Sequence, residues 1–399
     1  MNEKVEADEV WRAKWSTVLG VLILVSLGFT AKDSTLTVKV NEPDSDVQVF
    51  DEDGKIEIVK RIDAKGTITI PVDPGKHRLN VSKNGFNVFT KDFEIVLGGK
   101  KTITAKLVRK KEDKEAVKWR KRVGNLPVEQ QVEAVVKKLQ ELNPGFDGNT
   151  THKIEDGVVT ELKFLTNDVT DISPIRALGG LMTLNCSGEH PSQGKLSDLS
   201  PLQGMMLTSL VVTETPVTDL SPLKGMPVTT LNITRTPVFD ISPLKDMPLT
   251  FFSCYGTQVA DLSPLKNMKL TYLICNGSKV QNLSPLKGMP MTCLECSGTE
   301  IIDLTPLKGM PLSSLTIGKT LVSDLSPLKE MKLATLQCND THVSNLSPLA
   351  GMPLKVLSFD FTPESDTTLL RSFGTLETIN GKPVTEFWKE VEAQKKGTK

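Results

Sequence analysis

Hydrophobic positions follow four spacings in succession along this chain. The first pattern is a solid run: Trp15 to Ala31 (WSTVLGVLILVSLGFTA) holds no charge and is flanked by Arg12, Lys14 and Lys32. Its seventeen residues would span about 25 Å as a helix, near the lower limit for crossing a bilayer. A cleaved secretory leader and a buried soluble helix are the rivals. The acidic leader (Glu3, Glu6, Asp8, Glu9) and Phe29 near the obvious cleavage point fit a secretory leader poorly. A segment apolar on every side favours lipid over a soluble core. The run therefore reads as a single-pass transmembrane anchor at 15–31. Trp11 and Trp15 lie where interfacial aromatics sit, and Arg12 and Lys14 hold residues 1–14 as a cytoplasmic stub. Everything after Lys32 would be extracytoplasmic.

The second pattern alternates. TLTVKV at 35–40, VQVF at 47–50, KIEIV at 55–59, TITI at 67–70, HRLNVS at 77–82, NVF and FEIV within 87–96, and TITAKL at 102–107 are separated by turn signals such as Asp73-Pro74-Gly75 and Gly98-Gly99. Seven short strands with period-two alternation predict a small antiparallel β-sandwich over 34–108. The stretch TITIPVDPGKHRLNVSKNGF (67–86) resembles the PEGA domain of bacterial surface and membrane proteins, in its strand, Pro-Gly turn (Pro74-Gly75), strand and Gly-aromatic step (Gly85-Phe86). The family's literal P-E-G-A string is absent. The resemblance implies an extracytoplasmic spacer or contact module without catalytic residues.

The third pattern is helical. Arg109 to Arg122 carries eight basic and three acidic residues and reads as a solvated helix or linker. Beyond Trp119 no aromatic interleaves it, so it makes a poor nucleic-acid face. Pro127 then opens an amphipathic helix with Val128, Val132, Val135, Val136, Leu139 and Leu142 on one stripe, stopped by Asn143-Pro144-Gly145. Residues 109–147 thus form a basic linker and a capping helix.

The fourth pattern repeats. LSPL or a close variant begins at Leu199, Leu220, Ile241, Leu262, Leu283, Leu304, Leu325 and Leu346, always 21 residues apart. An earlier ISPI begins at Ile172, and a loop (EHPSQG, 189–194) separates it from the first. A unit reading L-T-x-L-x-C-x-G-T-x-V-x-D-L-S-P-L-K-G-M-P is the mark of a leucine-rich repeat. It resembles the short internalin-type repeats, which share the D-[LI]-x-P-L turn, over residues 158–362. A solenoid follows over 148–362, with a parallel sheet and one short 3-10 or helical turn per coil, the turn capped by the serine of Ser-Pro. Leu210, Leu231, Phe252, Leu273, Leu294 and their equivalents point inward. So do Cys186, Cys254, Cys275, Cys296 and Cys338 two residues further on, as ladder residues. Where internalin-type repeats carry an asparagine tying neighbouring coils, this chain has Thr215, Thr236, Thr257, Ser278, Thr299, Thr320 and Thr341, a hydroxyl file expected to bond adjacent turns. Caps close both ends: an Asp-Gly hairpin at 152–164, and helix, strand and helix over 363–399.

Composition narrows function. Over 399 residues, 48 basic groups balance 48 acidic ones, so no net charge recruits nucleic acid or anionic lipid, while residues 109–142 hold a local surplus of basic groups. Four histidines (77, 152, 190, 342) lie in different segments, none beside a plausible nucleophile and orienting acid, and GEHPSQGK (188–195) lacks P-loop spacing. No enzyme, cofactor or metal site is expected.

Concave strand positions are free of core duty. One file holds Ser209, Thr230, Phe251, Tyr272, Cys293, Ser314 and Thr335. The next holds Val211, Asn232, Ser253, Ile274, Glu295, Thr316 and Gln337. On this mostly Ser/Thr face, Phe251, Tyr255, Tyr272 and Ile274 fall in adjacent coils as a candidate binding patch, unless the rings merely pair across strands. Anchor, PEGA-like module and repeats together resemble the outer half of bacterial membrane Ser/Thr kinases, but no kinase signature is present. The chain reads as a membrane-anchored, non-catalytic platform for a protein partner or envelope polymer. Two alternatives stay open: a sensor subunit signalling through a separate kinase, and a structural envelope component.

Overall fold

The computed structural model describes residues 34–397, apart from 43–44, 53–55, 63–65, 84–85 and 109–112. The expected anchor at 15–31 and stub at 1–14 lie outside the described residues. Among those described, no helix is long and apolar enough to cross a membrane. The chain divides into two units, Met1–Lys111 and Glu112–Lys399.

The first unit holds β1 (Ser34–Val40), β2 (Asp46–Phe50), β3 (Ile56–Arg61), β4 (Thr67–Val72), β5 (Gly75–Ser82), β6 (Phe89–Ile95) and β7 (Lys100–Ala105). They form two sheets, ordered β4-β1-β7 and β3-β2-β5-β6. Alternation decides what each strand buries: on β5, His77, Leu79 and Val81 face inward while Lys76 and Arg78 stay exposed. Both sheets feed one core, with Leu36 and Val38 from β1 meeting Val47, Leu79 and Phe93 from the other layer.

One pairing corrects the antiparallel expectation. β1 and β7 run parallel, Thr35 opposite Lys100 and Val40 opposite Ala105. Alternation encodes the face a residue takes and is blind to strand direction. β7 belongs to the sheet opposite β6, and there it fills the open edge of β1 in the same sense. Asn41 secures the junction, its amide donating to the Leu107 carbonyl at 3.0 Å and its carbonyl accepting from the Leu107 amide at 2.7 Å.

The second unit opens with α1 (Lys114–Gly124) and α2 (Val128–Leu142). The Asp113 carboxylate caps α1 by accepting from the Glu115 amide. On α2 the predicted stripe buries Val132, Val135 and Leu139 against the solenoid core. Asn143 ends α2 and ties it to the first coil, since its side chain donates to the Leu139 and Asp171 carbonyls and accepts from the Thr170 and Asp171 amides. β8 (Thr150–Glu155) and β9 (Val158–Phe164) make the front hairpin. Its turn residues, Asp156 and Gly157, both take positive φ, 48° and 76°, as a tight primed hairpin turn requires.

Nine three-residue strands follow, one per coil: β10 (Thr183–Asn185), β11 (Ser209–Val211), β12 (Thr230–Asn232), β13 (Phe251–Ser253), β14 (Tyr272–Ile274), β15 (Cys293–Glu295), β16 (Ser314–Thr316), β17 (Thr335–Gln337) and β18 (Val356–Ser358). Each pairs in parallel with the next. β9 joins them at the front, and β19 (Thr378–Ile379) with its antiparallel partner β20 (Lys382–Pro383) at the back. Register is exact to the repeat: Leu210, Leu231, Phe252, Leu273 and Leu294 are opposite one another and fully buried. The cysteine file is fully or almost fully buried too. Stacking is what buries these faces, because a single coil leaves its core side open. At the back, α3 (Pro363–Ser372) and α4 (Val384–Gly397) bury Leu370, Phe387 and Val391, Phe373 is buried just after α3, and the Phe361 ring meets Phe387 and Trp388 edge-on.

Two local expectations change. Each Ser-Pro-Leu does form a 3-10 turn, but the serine is not its cap. The acidic or amide residue two positions earlier is: Asp219 accepts from the Ser221 amide and hydroxyl, both at 2.7 Å, and Asp240, Asp261 and Asp324 act alike on Ser242, Ser263 and Ser326. The threonine file at 215, 236 and 257 does not link coils either. Each hydroxyl donates to the carbonyl three residues back in its own coil, as Thr236 does to Ile233 at 2.7 Å. A different file links the coils. The hydroxyls of Thr229, Thr250, Thr271, Thr292 and Ser313 each donate to the carbonyl 21 residues earlier, at 3.1–3.3 Å. These residues stand just before the strands, where side chain and neighbouring backbone meet. The file at 215–320 is buried under its own turn.

Candidate binding face of the sheet

Strand alternation leaves the first and third residue of each strand on the solvent side of the sheet. On β13 and β14 this places Phe251 beside Tyr272, with ring centroids 5.3 Å apart and planes 29° from parallel. Both are half-buried. The Tyr272 hydroxyl donates to Glu295 Oε1 on the next strand at 2.9 Å, and Asn276 donates to the other carboxylate oxygen at 3.0 Å. Hydrogen bonding with the Cys293 thiol, burial, and the Glu295 carboxylate push the Tyr272 hydroxyl well above the ordinary tyrosine range. It stays a neutral donor at any physiological pH. Ile274, the third residue of β14, sits half-buried on the same side.

The structure thus brings together three of the four candidate residues, Phe251, Tyr272 and Ile274. Tyr255 has a partner of its own. It follows the strand, at the turn, where the Arg235 guanidinium lies over its ring at 5.2 Å. Two positions counted as free are also covered: Cys293 is 8% exposed and Ser253 2%. The Ser253 hydroxyl pairs with that of Thr234 at 2.9 Å.

Tyr255 instead ends a polar track that the sequence did not reveal. Glu214 and Arg235 occupy the same position of consecutive coils, one that takes positive φ (57° and 54°) and that three later coils fill with Gly256, Gly277 and Gly298. The signal was present as charged residues at a glycine position of the repeat. Glu214 Oε1 accepts from Arg235 Nη1 at 2.8 Å, while Oε2 accepts from the Ser192 amide at 2.8 Å and its hydroxyl at 3.1 Å. His190 Nδ1 lies 3.0 Å from Glu214 Oε1 and 2.6 Å from Arg235 Nη1. One nitrogen cannot donate to the acid and accept from the arginine at once, so the tautomer of His190 selects between them. Arg235 and the Ser192 groups hold Glu214 either way. Burial alone would raise the Glu214 carboxyl. Hydrogen bonds from Arg235, the Ser192 amide, His190 and the Ser192 hydroxyl outweigh it and hold the group at about 2.

His190 therefore does stand beside an acid and a hydroxyl, contrary to the separation expected from sequence. Their order is wrong for acyl transfer, where the imidazole bridges hydroxyl and acid. Here the acid bridges serine and histidine, so nothing activates the hydroxyl. The buried thiols are no better placed: burial pushes Cys186 up to about 12 and, with Cys275 beside it, raises Cys254 well above the thiol range. Among the described residues, no group of three or more His, Cys, Asp or Glu could hold a metal ion.

No family model and no curated protein matches the chain. The resemblance of residues 34–108 to the PEGA domain therefore rests on the motifs quoted above. Solved structures do match. Internalin C2 from Listeria monocytogenes is 23% identical, over 57% of this chain and 92% of that one, with a TM-score of 0.41. The functional domain of InlJ from the same organism, which includes a cysteine ladder, is 21% identical over 56% of this chain and 54% of its own, with a TM-score of 0.38. What defines this unit is its own register. It is a leucine-rich-repeat-like solenoid with a parallel sheet and 3-10 turns.

Proposed function

We propose that this chain is a non-catalytic docking platform, held at a membrane by residues 15–31, that binds a protein partner on the solvent side of its solenoid sheet. Phe251, Tyr272 and Ile274 form the centre of that surface, and Tyr255 with Arg235 forms its edge. The carrying observation is the Phe251–Tyr272 stack, set in a face otherwise lined largely by Ser, Thr and Asn. Rings already ordered by stacking lose little freedom on binding, and aromatic side chains with a polar tip dominate interface energetics. The Tyr272–Glu295–Asn276 network fixes the tyrosine tip and supports the same reading.

Site-specific photo-crosslinking tests it. A crosslinker at Ile274 gives a discrete protein adduct, and one at Lys266, on the turn-bearing side, gives none. Phe251→Ala with Tyr272→Ala then weakens affinity for the crosslinked partner by about thirty-fold or more, the scale of a lost hot spot. Equal adducts at both positions, or unchanged affinity of the double variant, would overturn the reading.

A further inference from the structure

The first unit carries an apolar tip at one end. Val96 and Leu97, between β6 and β7, are 71% and 68% exposed, the most exposed large hydrophobic residues among those described. The tip is built, not frayed. The Gly99 amide closes it by donating to the Val96 carbonyl at 2.8 Å, and Gly98 takes a φ of 71°. Its place is fixed by the start of β1: the Ser34 hydroxyl donates to the Val96 carbonyl at 2.9 Å, and the Thr35 amide to the Gly99 carbonyl at 2.9 Å. Lys100, exposed, and Lys101, half-buried, follow at once.

Ser34 is three residues beyond Ala31, where the uncharged run ends. Three residues of chain reach at most about 11 Å. If the run spans a bilayer, this end of the β unit lies against the lipid surface, and the tip beside Ser34 meets it. Exposed aliphatic residues next to lysines suit that boundary: the apolar side chains enter the headgroup region while the ammonium groups stay at phosphate depth. A second exposed pair, Val88 at 57% and Val108 at 56%, lies at the opposite end, beyond the seven residues of β6. Seven strand residues separate the two ends by roughly 20 Å.

We infer that the Val96–Leu97 tip is a membrane contact that seats the β unit on a lipid bilayer surface. The inference rests on the membrane-anchor reading proposed above. Full-length protein carrying Leu97→Cys or Val88→Cys, labelled with an environment-sensitive fluorophore and reconstituted into phosphatidylcholine–phosphatidylglycerol vesicles, tests it. The native thiols are buried and leave the new site as the reactive one. Vesicle flotation is scored first. With the protein floated, the label at 97 shifts to the blue and is quenched by nitroxide lipid, while the label at 88 reports water and is quenched by iodide. Floated protein whose two labels behave alike overturns the tip contact and leaves the anchor standing. Protein that fails to float overturns both.

Discussion

The two units bury aliphatic cores in opposite ways. In the β unit, neighbours in space are distant in sequence: β1 pairs with β4 and with β7, which begins 65 residues after Thr35. In the solenoid, each strand pairs with the strand one coil on, and the same 21-residue unit supplies every layer. A core closed by its first and last strands is lost as a whole when one layer fails. A stack of coils can lose a coil and keep those further along, because stability there is close to a sum of nearest-neighbour terms.

Core truncation probes this difference with the largest effect. Phe252→Ala, fully buried in the central column, costs ~3–5 kcal/mol, and Leu36→Ala in β1 costs ~2–5 kcal/mol. Hydrogen exchange separates the two. Leu36→Ala speeds exchange throughout 34–107. Phe252→Ala speeds it most in the coils on either side, with the effect fading towards the hairpin at 150–164 and the cap beyond 363. Uniform loss of protection across all coils would erase the distinction.

A smaller effect tests electrostatics inside one coil. The Glu214 carboxyl titrates at about 2 when folded, below its value in the unfolded chain, ~4.3. The ionised form is therefore favoured by folding. That stability is fully present above about pH 5 and is lost as pH falls from there through ~2. Screening at the half-exposed Arg235 limits it to roughly 1–2 kcal/mol. Glu214→Gln should melt lower than the parent protein at pH 7, and the gap should close by pH 2. A pH-independent gap would assign the loss to packing.

The smallest effect concerns the turns. Asp219→Ala removes both bonds to Ser221 and costs ~1 kcal/mol, the usual worth of a cap. Ser221→Ala leaves the amide bond in place and costs less. If the serine substitution proved the more damaging in thermal melts, the cap would belong to the serine after all.

How much of the molecule could be read from sequence varies with the kind of contact. The inward files of leucine and cysteine were legible, because a 21-residue period forces equivalent positions into one column. Phe251, Tyr272 and Ile274 were legible as neighbours for the same reason: equal offsets in adjacent coils. The contact Tyr255 makes was not legible, because offset says nothing about where a turn residue leans: the Arg235 guanidinium lies over its ring. The His190–Glu214–Ser192 network was invisible, since the inserted loop at 189–194 breaks the period that made everything else predictable.

The sequence by itself therefore determined the element type, the buried face and the stacking unit. Each follows from local spacing, and a side chain's face depends only on its position along its own strand or coil. Tertiary structure alone decided that β7 lies parallel to β1, that aspartates cap the turns, and that the threonines preceding the strands stitch the coils together. Those outcomes depend on which backbone carbonyl or open strand edge arrives within about 3 Å of a given group, and that is settled only when layers are packed against one another.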